Sequence, residues 1–213
     1  VTDQRATDVP ELWPGETVAI LGGGKSLTAD QVNACRGRVR VIGINDAYRL
    51  APWADLLWFC DEKWFNWHRA GVLSFRGQVA TLENYHLRDV VPGLWCLHNV
   101  GQTGLYPERW GVMTGGNSGY QCINLAVHLG ARRILLLGYD MKPGHWFGDH
   151  PKATQPHVYA GTMLPKFPTL VEPLKQRGVE VINCTPGSAL ACFPKADLAD
   201  CLPADPRQAA LSA

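Results

Sequence analysis

The sequence predicts an α/β fold: a three-layer Rossmann-like domain with a mainly parallel central sheet and a short lid. Three observations carry that expectation. Short apolar runs at 17–21, 39–44, 56–60 and 133–137 have the length and composition of buried strands. The runs repeatedly give way to small or polar residues, as parallel strands do where they deliver loops to one edge of a sheet. Between 117 and 137 a helical segment, Gly130 and a very apolar strand follow one another, which is half of a crossover unit.

The first strand, 17–21, runs into Gly22-Gly23-Gly24-Lys25-Ser26, after which Leu27 and Thr28 lead into a short helix through Val32. The second strand ends at Asn45-Asp46 and the third at Asp61-Glu62. Residues 78–82 and 94–97 read as further strands, whereas 99–113 reads as an irregular loop containing glycines and aromatics. The helix over 117–129 and the strand over 133–137 close on Gly138-Tyr139-Asp140. Residues 141–165, rich in His, Pro, Gly and aromatic side chains, show no regular period, the pattern of a lid or active-site loop. A helix over 167–176 and a last strand over 179–183 follow, then Thr185-Pro186-Gly187-Ser188. The tail from Leu198 onward is expected to be peripheral. With no internal repeat, 1–213 is read as one nucleotide-binding domain with the lid inside it.

Composition narrows the function classes. The 213 residues are 46% hydrophobic and 18% charged, which is globular rather than disordered. Lys plus Arg number 20 against 19 Asp plus Glu, so no broad nucleic-acid-binding surface is implied. No apolar run is long enough to span a bilayer and no signal peptide is evident, so the expected location is cytoplasmic. Seven cysteines without a CxxC pair read as free thiols in a reducing compartment. Among the eight tryptophans, Trp53, Trp58, Trp64, Trp67, Trp110 and Trp146 fall near strand ends and loops, where they line a cleft or pack in the core. The apolar loops leave a homo-oligomer open.

The candidate site residues gather on the predicted ligand edge. A Walker loop would need glycine where Ala19 stands, and the dinucleotide spacing fails at Leu27, so neither full motif is present. A tight turn can still set Gly22, Gly23, Gly24 and Ser26 against one phosphate or a ribose; the alternative is a purely structural turn. Asn45 offers a donor and an acceptor to a base, ribose or sugar hydroxyl. Asp61 either meets a ligand or satisfies its own loop. Gly116, Asn117, Ser118 and Gly119 open the central helix, where free N–H groups favour an anion and Asn or Ser would otherwise serve as a cap. His145, His150 and His157 suit proton transfer near neutral pH. The spacing of His145, Asp149 and His150 matches no strong metal motif, and no metal site is assigned. His128 and His68 read as ordinary helix-associated residues.

These segments resemble a known group. VAILGGGKSL (18–27) and IGINDAY (42–48) look like the nucleotide-side segments of the bacterial sialyltransferases of glycosyltransferase family 42. GGNSGYQCINLAVHLGARRILLLGYDM (115–141) resembles that family's Ser-Gly turn, central helix and following strand, and VINCTPGSAL (181–190) its late strand and Pro-x-Ser turn. The pattern is also similar to a related group of 6-hydroxymethylpterin pyrophosphokinase-like proteins and uncharacterised bacterial and phage proteins. The first resemblance implies a metal-independent transferase taking a CMP-activated sugar as substrate, with no tightly bound cofactor and an unknown acceptor. It implies Gly23, Gly24 and Ser26 beside the nucleotide phosphate, Asn45 beside the donor, and Ser118 and Gly119 at the nucleotide or at a sugar carboxylate. Tyr159 would steady the leaving phosphate, and His150 or His157 would be the general base. The segment HWFGDH (145–150) departs from the family pattern. The second resemblance implies magnesium-dependent pyrophosphoryl transfer involving Asp61, Asp140 and Asp149. A nucleotide-binding assembly protein is the non-enzymatic alternative.

Overall fold

Successive residues of a strand face opposite sides, so a run that is apolar throughout must be covered on both. Along β1 (Thr17–Leu21), Val18 and Ile20 enter one core cluster while Ala19 and Leu21 enter another. β7 (Arg133–Leu137) repeats the division: Ile134 and Leu136 face the first cluster, Leu135 and Leu137 the second. The computed structural model, which describes residues 6–148 and 155–205, builds a sheet on this rule.

Its other strands are β2 (Arg40–Ile44), β3 (Leu56–Phe59), β4 (Gln78–Leu82), β5 (Trp95–Gly101), β6 (Gly111–Met113) and β8 (Glu180–Asn183). The order is β6-β5-β4-β3-β2-β1-β7-β8, and all neighbours are parallel. Helix α3 (Ser118–His128) covers one face through the buried Tyr120, Ile123 and Leu125. α1 (Ala29–Cys35) and α2 (Glu62–Ser74) cover the other through Val32 and Cys35, and through Trp64, Phe65 and Val72. The fold is therefore α/β and Rossmann-like, as expected from the strand pattern.

Several elements differ from the sequence reading. β6 lies inside the stretch expected to be loop; its three residues, led by a glycine, are too few to show a period. Part of the supposedly irregular 141–165 segment is helical. It passes from α4 (Pro156–Val158) through a π-helical turn (Tyr159–Met163) and a 3₁₀ stretch (Leu164–Leu170) into α5 (Val171–Gln176). Pro156, Pro165, Pro168 and Gly161 disguise that run in the sequence, because each lowers the apparent helical propensity. The described part of the tail is not peripheral (206–213 lie outside the described residues): α6 (Leu198–Cys201) buries both its end residues in the core beside α1, and Arg133 Nη1 donates to the Cys201 carbonyl at 3.2 Å. Its four residues are too short to carry an amphipathic signal.

All seven cysteines are free thiols. Among the described residues no helix is long and apolar enough to cross a membrane.

His128 is structural and gives a pH prediction. It is 4% exposed, its Nε2 lies 2.8 Å from the Gly111 carbonyl oxygen, and burial lowers its pKa to about 4 from 6.5. The unfolded chain therefore binds a proton that the native state refuses, and stability falls as pH drops from about 6.5 towards about 4. The full loss amounts to about 3 kcal/mol. Urea midpoints measured from pH 7 to pH 4 should fall for the wild type and fall less for His128→Gln. Equal slopes would rule His128 out as the source.

Candidate functional site

The C-terminal ends of β1, β2, β3 and β7 deliver the residues of one cleft. The glycine turn after β1 is tied to β7: the Gly22 N–H donates to the Leu137 carbonyl at 2.8 Å and the Gly24 N–H to the Gly138 carbonyl at 2.9 Å. A Cβ on Gly22 would lie 2.7 Å from the Gly138 oxygen, so close backbone approach requires glycine here. Ser26 seals the junction. Its N–H and Oγ donate to Asp140 Oδ1 at 3.2 Å and Oδ2 at 2.7 Å. The Trp146 N–H in turn donates to the Gly23 carbonyl at 3.2 Å, and Gly24 bridges to His145. That contact lays the His145 ring over Gly23, stacked on Phe147 at 4.9 Å between centroids.

The facing wall is made by Asn45, Asp61 and the start of α3. Asn45 holds a left-handed backbone (φ 49°), and its buried Oδ1 has no hydrogen-bond partner among the described residues. An unpaired buried acceptor is costly, so a ligand donor is the natural complement. Asp61 caps α2, its Oδ1 accepting from the Lys63 N–H at 2.7 Å. Asn117 caps α3 in the same way, accepting from the Tyr120 N–H at 2.9 Å. The N–H groups of Ser118 and Gly119 have no acceptor among the described residues and open on the cleft. Tyr139 fixes this first turn: its hydroxyl donates to the Gly119 carbonyl at 3.1 Å, and its ring occupies the space a Cβ on Gly119 would need. Behind the wall, the Cys60 thiol donates to Gln121 Oε1 at 2.7 Å and lies 3.6 Å from Ser118 Oγ. Burial pushes that thiol up to about 12, which leaves it a neutral donor rather than a nucleophile.

The cleft has a volume of about 450 Å³, in the range of small-molecule sites. It sits outside the end of β1, where the chain order reverses between β2 on one side and β7 on the other, the usual ligand crevice of open α/β sheets.

No family model matches the chain, and no curated protein sequence matches it. Two solved structures do. One is the MAf glycosyltransferase from Magnetospirillum magneticum AMB-1, with a TM-score of 0.67 and 14% identity over 97% of this chain. The chain spans 37% of that protein's length. The other is the sialyltransferase CstII from Campylobacter jejuni, solved in complex with the substrate analogue cytidine-5'-monophosphate, with a TM-score of 0.50 and 13% identity over 85% of each chain. The fold is glycosyltransferase-like. Nothing in these comparisons supports the pyrophosphokinase side of the resemblance.

On this glycosyltransferase-like frame, Gly22, Gly23, Gly24, Asn45, Asp61, Gly116, Asn117, Ser118, Gly119, His145 and Tyr159 all line the cleft. Ser26 does not; its hydroxyl is held by Asp140. His157, on α4, is exposed and stands outside the lining, while His150 lies outside the described residues, as does Asp149. Among the described residues no group of three or more His, Cys, Asp or Glu could hold a metal ion. None of the tryptophans lines the cleft; Trp58 and Trp64 are core residues and Trp67 is exposed. Sequence reasoning missed Tyr139, Lys142, Phe147 and Met163 as lining residues. Tyr139 had a signal, since it stands two residues beyond the most apolar strand. Met163 had none, because only the π-helical turn brings it and Tyr159 to the same rim.

Proposed function

We propose that this protein transfers a sugar from a nucleotide-activated donor, CMP-linked in the first instance, to an acceptor hydroxyl. The observation that carries the reading is the cleft at the chain reversal, where unspent α3 amides, the unpaired Asn45 oxygen and the His145 imidazole converge in a glycosyltransferase-like fold. Each group has a part in a direct displacement. The acceptor oxygen attacks the anomeric carbon as the bond from that carbon to the phosphate oxygen breaks. His145 takes the hydroxyl proton, and the departing phosphate gathers negative charge against the Ser118 and Gly119 N–H groups and the Tyr159 hydroxyl. Asn45 accepts from a donor hydroxyl or amine.

The test is thermal stabilisation by CMP with and without magnesium. At a hundredfold excess over Kd, binding adds about 2.7 kcal/mol, a rise of roughly 5–10 °C for a chain of this size. The shift is expected without metal. No shift with CMP, CDP, UDP or GDP, or a shift with ATP only when magnesium is present, would overturn the reading.

A further inference from the structure

The mouth of the cleft carries positive charge that the reaction outlined above does not use. Lys142 lines it, and its Nζ donates to the Gly187 carbonyl at 2.7 Å. Lys166 packs beside the start of α3: a Cβ on the lining residue Gly116 would lie 3.2 Å from its Nζ, which donates to Gln102 Oε1 at 2.8 Å. Lys25 packs against the lining residue Gly144, with Nζ 2.7 Å from where a Cβ on that glycine would fall. None of the three makes an ion pair among the described residues. The acceptors that hold Lys142 and Lys166 are neutral oxygens, which orient an ammonium without cancelling its charge. Among the described residues Asp61 is the single carboxylate of the lining; Asp140, which packs against the lining residue Gly24, is engaged by the N–H and hydroxyl of Ser26. Like charges gathered around a concavity repel one another and focus a field into it, and an anion bridging them relieves the repulsion.

We propose that Lys25, Lys142 and Lys166 form an anion-recognising rim that selects donors carrying a second anionic group besides the phosphate that leaves with the nucleotide. The proposal rests on the reading of this cleft as the donor site. The second group is either a further phosphate on the nucleotide or an acidic group on the sugar, and both offer the same chemistry to the rim.

Inorganic pyrophosphate, titrated calorimetrically against inorganic phosphate, is the probe. Wild-type protein should bind pyrophosphate at least tenfold more tightly, with an affinity that falls as salt is raised. Lys142→Met with Lys166→Met should remove that preference, Lys25→Met should reduce it, and Lys175→Met, on α5, should leave it intact. Melting curves of the variants separate a lost rim from a lost fold. Absent pyrophosphate binding, or binding that survives the paired Lys142 and Lys166 substitutions in folded protein, overturns the rim. If the rim binds pyrophosphate but CMP and CDP bind no better than the bare anions, the rim stands and the nucleotide reading fails. A tenfold preference for CDP over CMP would put the second charge on the nucleotide; equal affinities, with pyrophosphate binding still lysine-dependent, would put it on the sugar.

Discussion

Gly24→Ala should destabilise the protein by about 3 kcal/mol or more, the range reserved for steric conflict at a site that cannot relax. A Cβ on Gly24 falls 1.9 Å from Asp140 Oδ2 and 2.6 Å from the Gly138 carbonyl oxygen. Neither neighbour can retreat without loss. Moving the carboxylate releases the N–H and hydroxyl of Ser26, and moving the carbonyl breaks its bond from the Gly24 N–H. The glycine is needed for close approach rather than for an unusual φ. Gly161→Ala is the control: it lies on the π-helical turn with φ outside the left-handed region and nothing within 4 Å of its Cβ position, so the alanine should cause no loss and raise stability by at most about 1 kcal/mol. Urea unfolding measures both. A loss below about 1 kcal/mol at position 24 would mean that the junction of β1 and β7 yields more easily than its hydrogen bonds imply.

The second large effect concerns His145. If its imidazole takes the acceptor proton, His145→Gln should lower kcat by about 10²–10⁴ with little change in the donor KM. The acid limb of the pH–rate profile, where the base is protonated and inactive, should vanish in the variant. His157→Gln should change kcat by less than about threefold, because His157 stands outside the cleft. The reverse ranking of these two variants would move the base to α4 and require that segment to close over the cleft. Release of free nucleotide from an activated sugar, with and without acceptor, provides the assay.

The legible parts of the molecule are those whose signal is local. β1 and β7 lie where the apolar runs place them, because a strand covered on both faces is apolar along nearly its whole length. The capped start of α3 could be read from Gly115-Gly116-Asn117-Ser118, since small residues, a cap and an apolar run are adjacent in the chain. Less legible were elements whose residues find their partners at a distance. β6 is a strand because β5 lies beside it, and α6 is buried because the sheet face next to α1 needs covering.

The same division runs through the site. Local pattern in the chain is enough to set the parallel α/β class, the edge on which the cleft opens and most of the small and polar residues that line it. These follow from hydrophobic alternation and from the limited repertoire of residues at turns and helix starts. Where individual polar groups point is set by packing between segments remote in the chain. Ser26 looks like a phosphate ligand until Asp140, 114 residues away, takes its hydroxyl. Asn45 looks like one polar residue among several until the fold buries its oxygen with no hydrogen-bond partner among the described residues. Lys25, Lys142 and Lys166 share no motif, yet Lys142 lines the cleft and the other two pack against its lining residues Gly144 and Gly116. A hydrogen bond or a local field depends on distances of a few ångströms between segments remote in the chain, and those distances exist only once the sheet has closed.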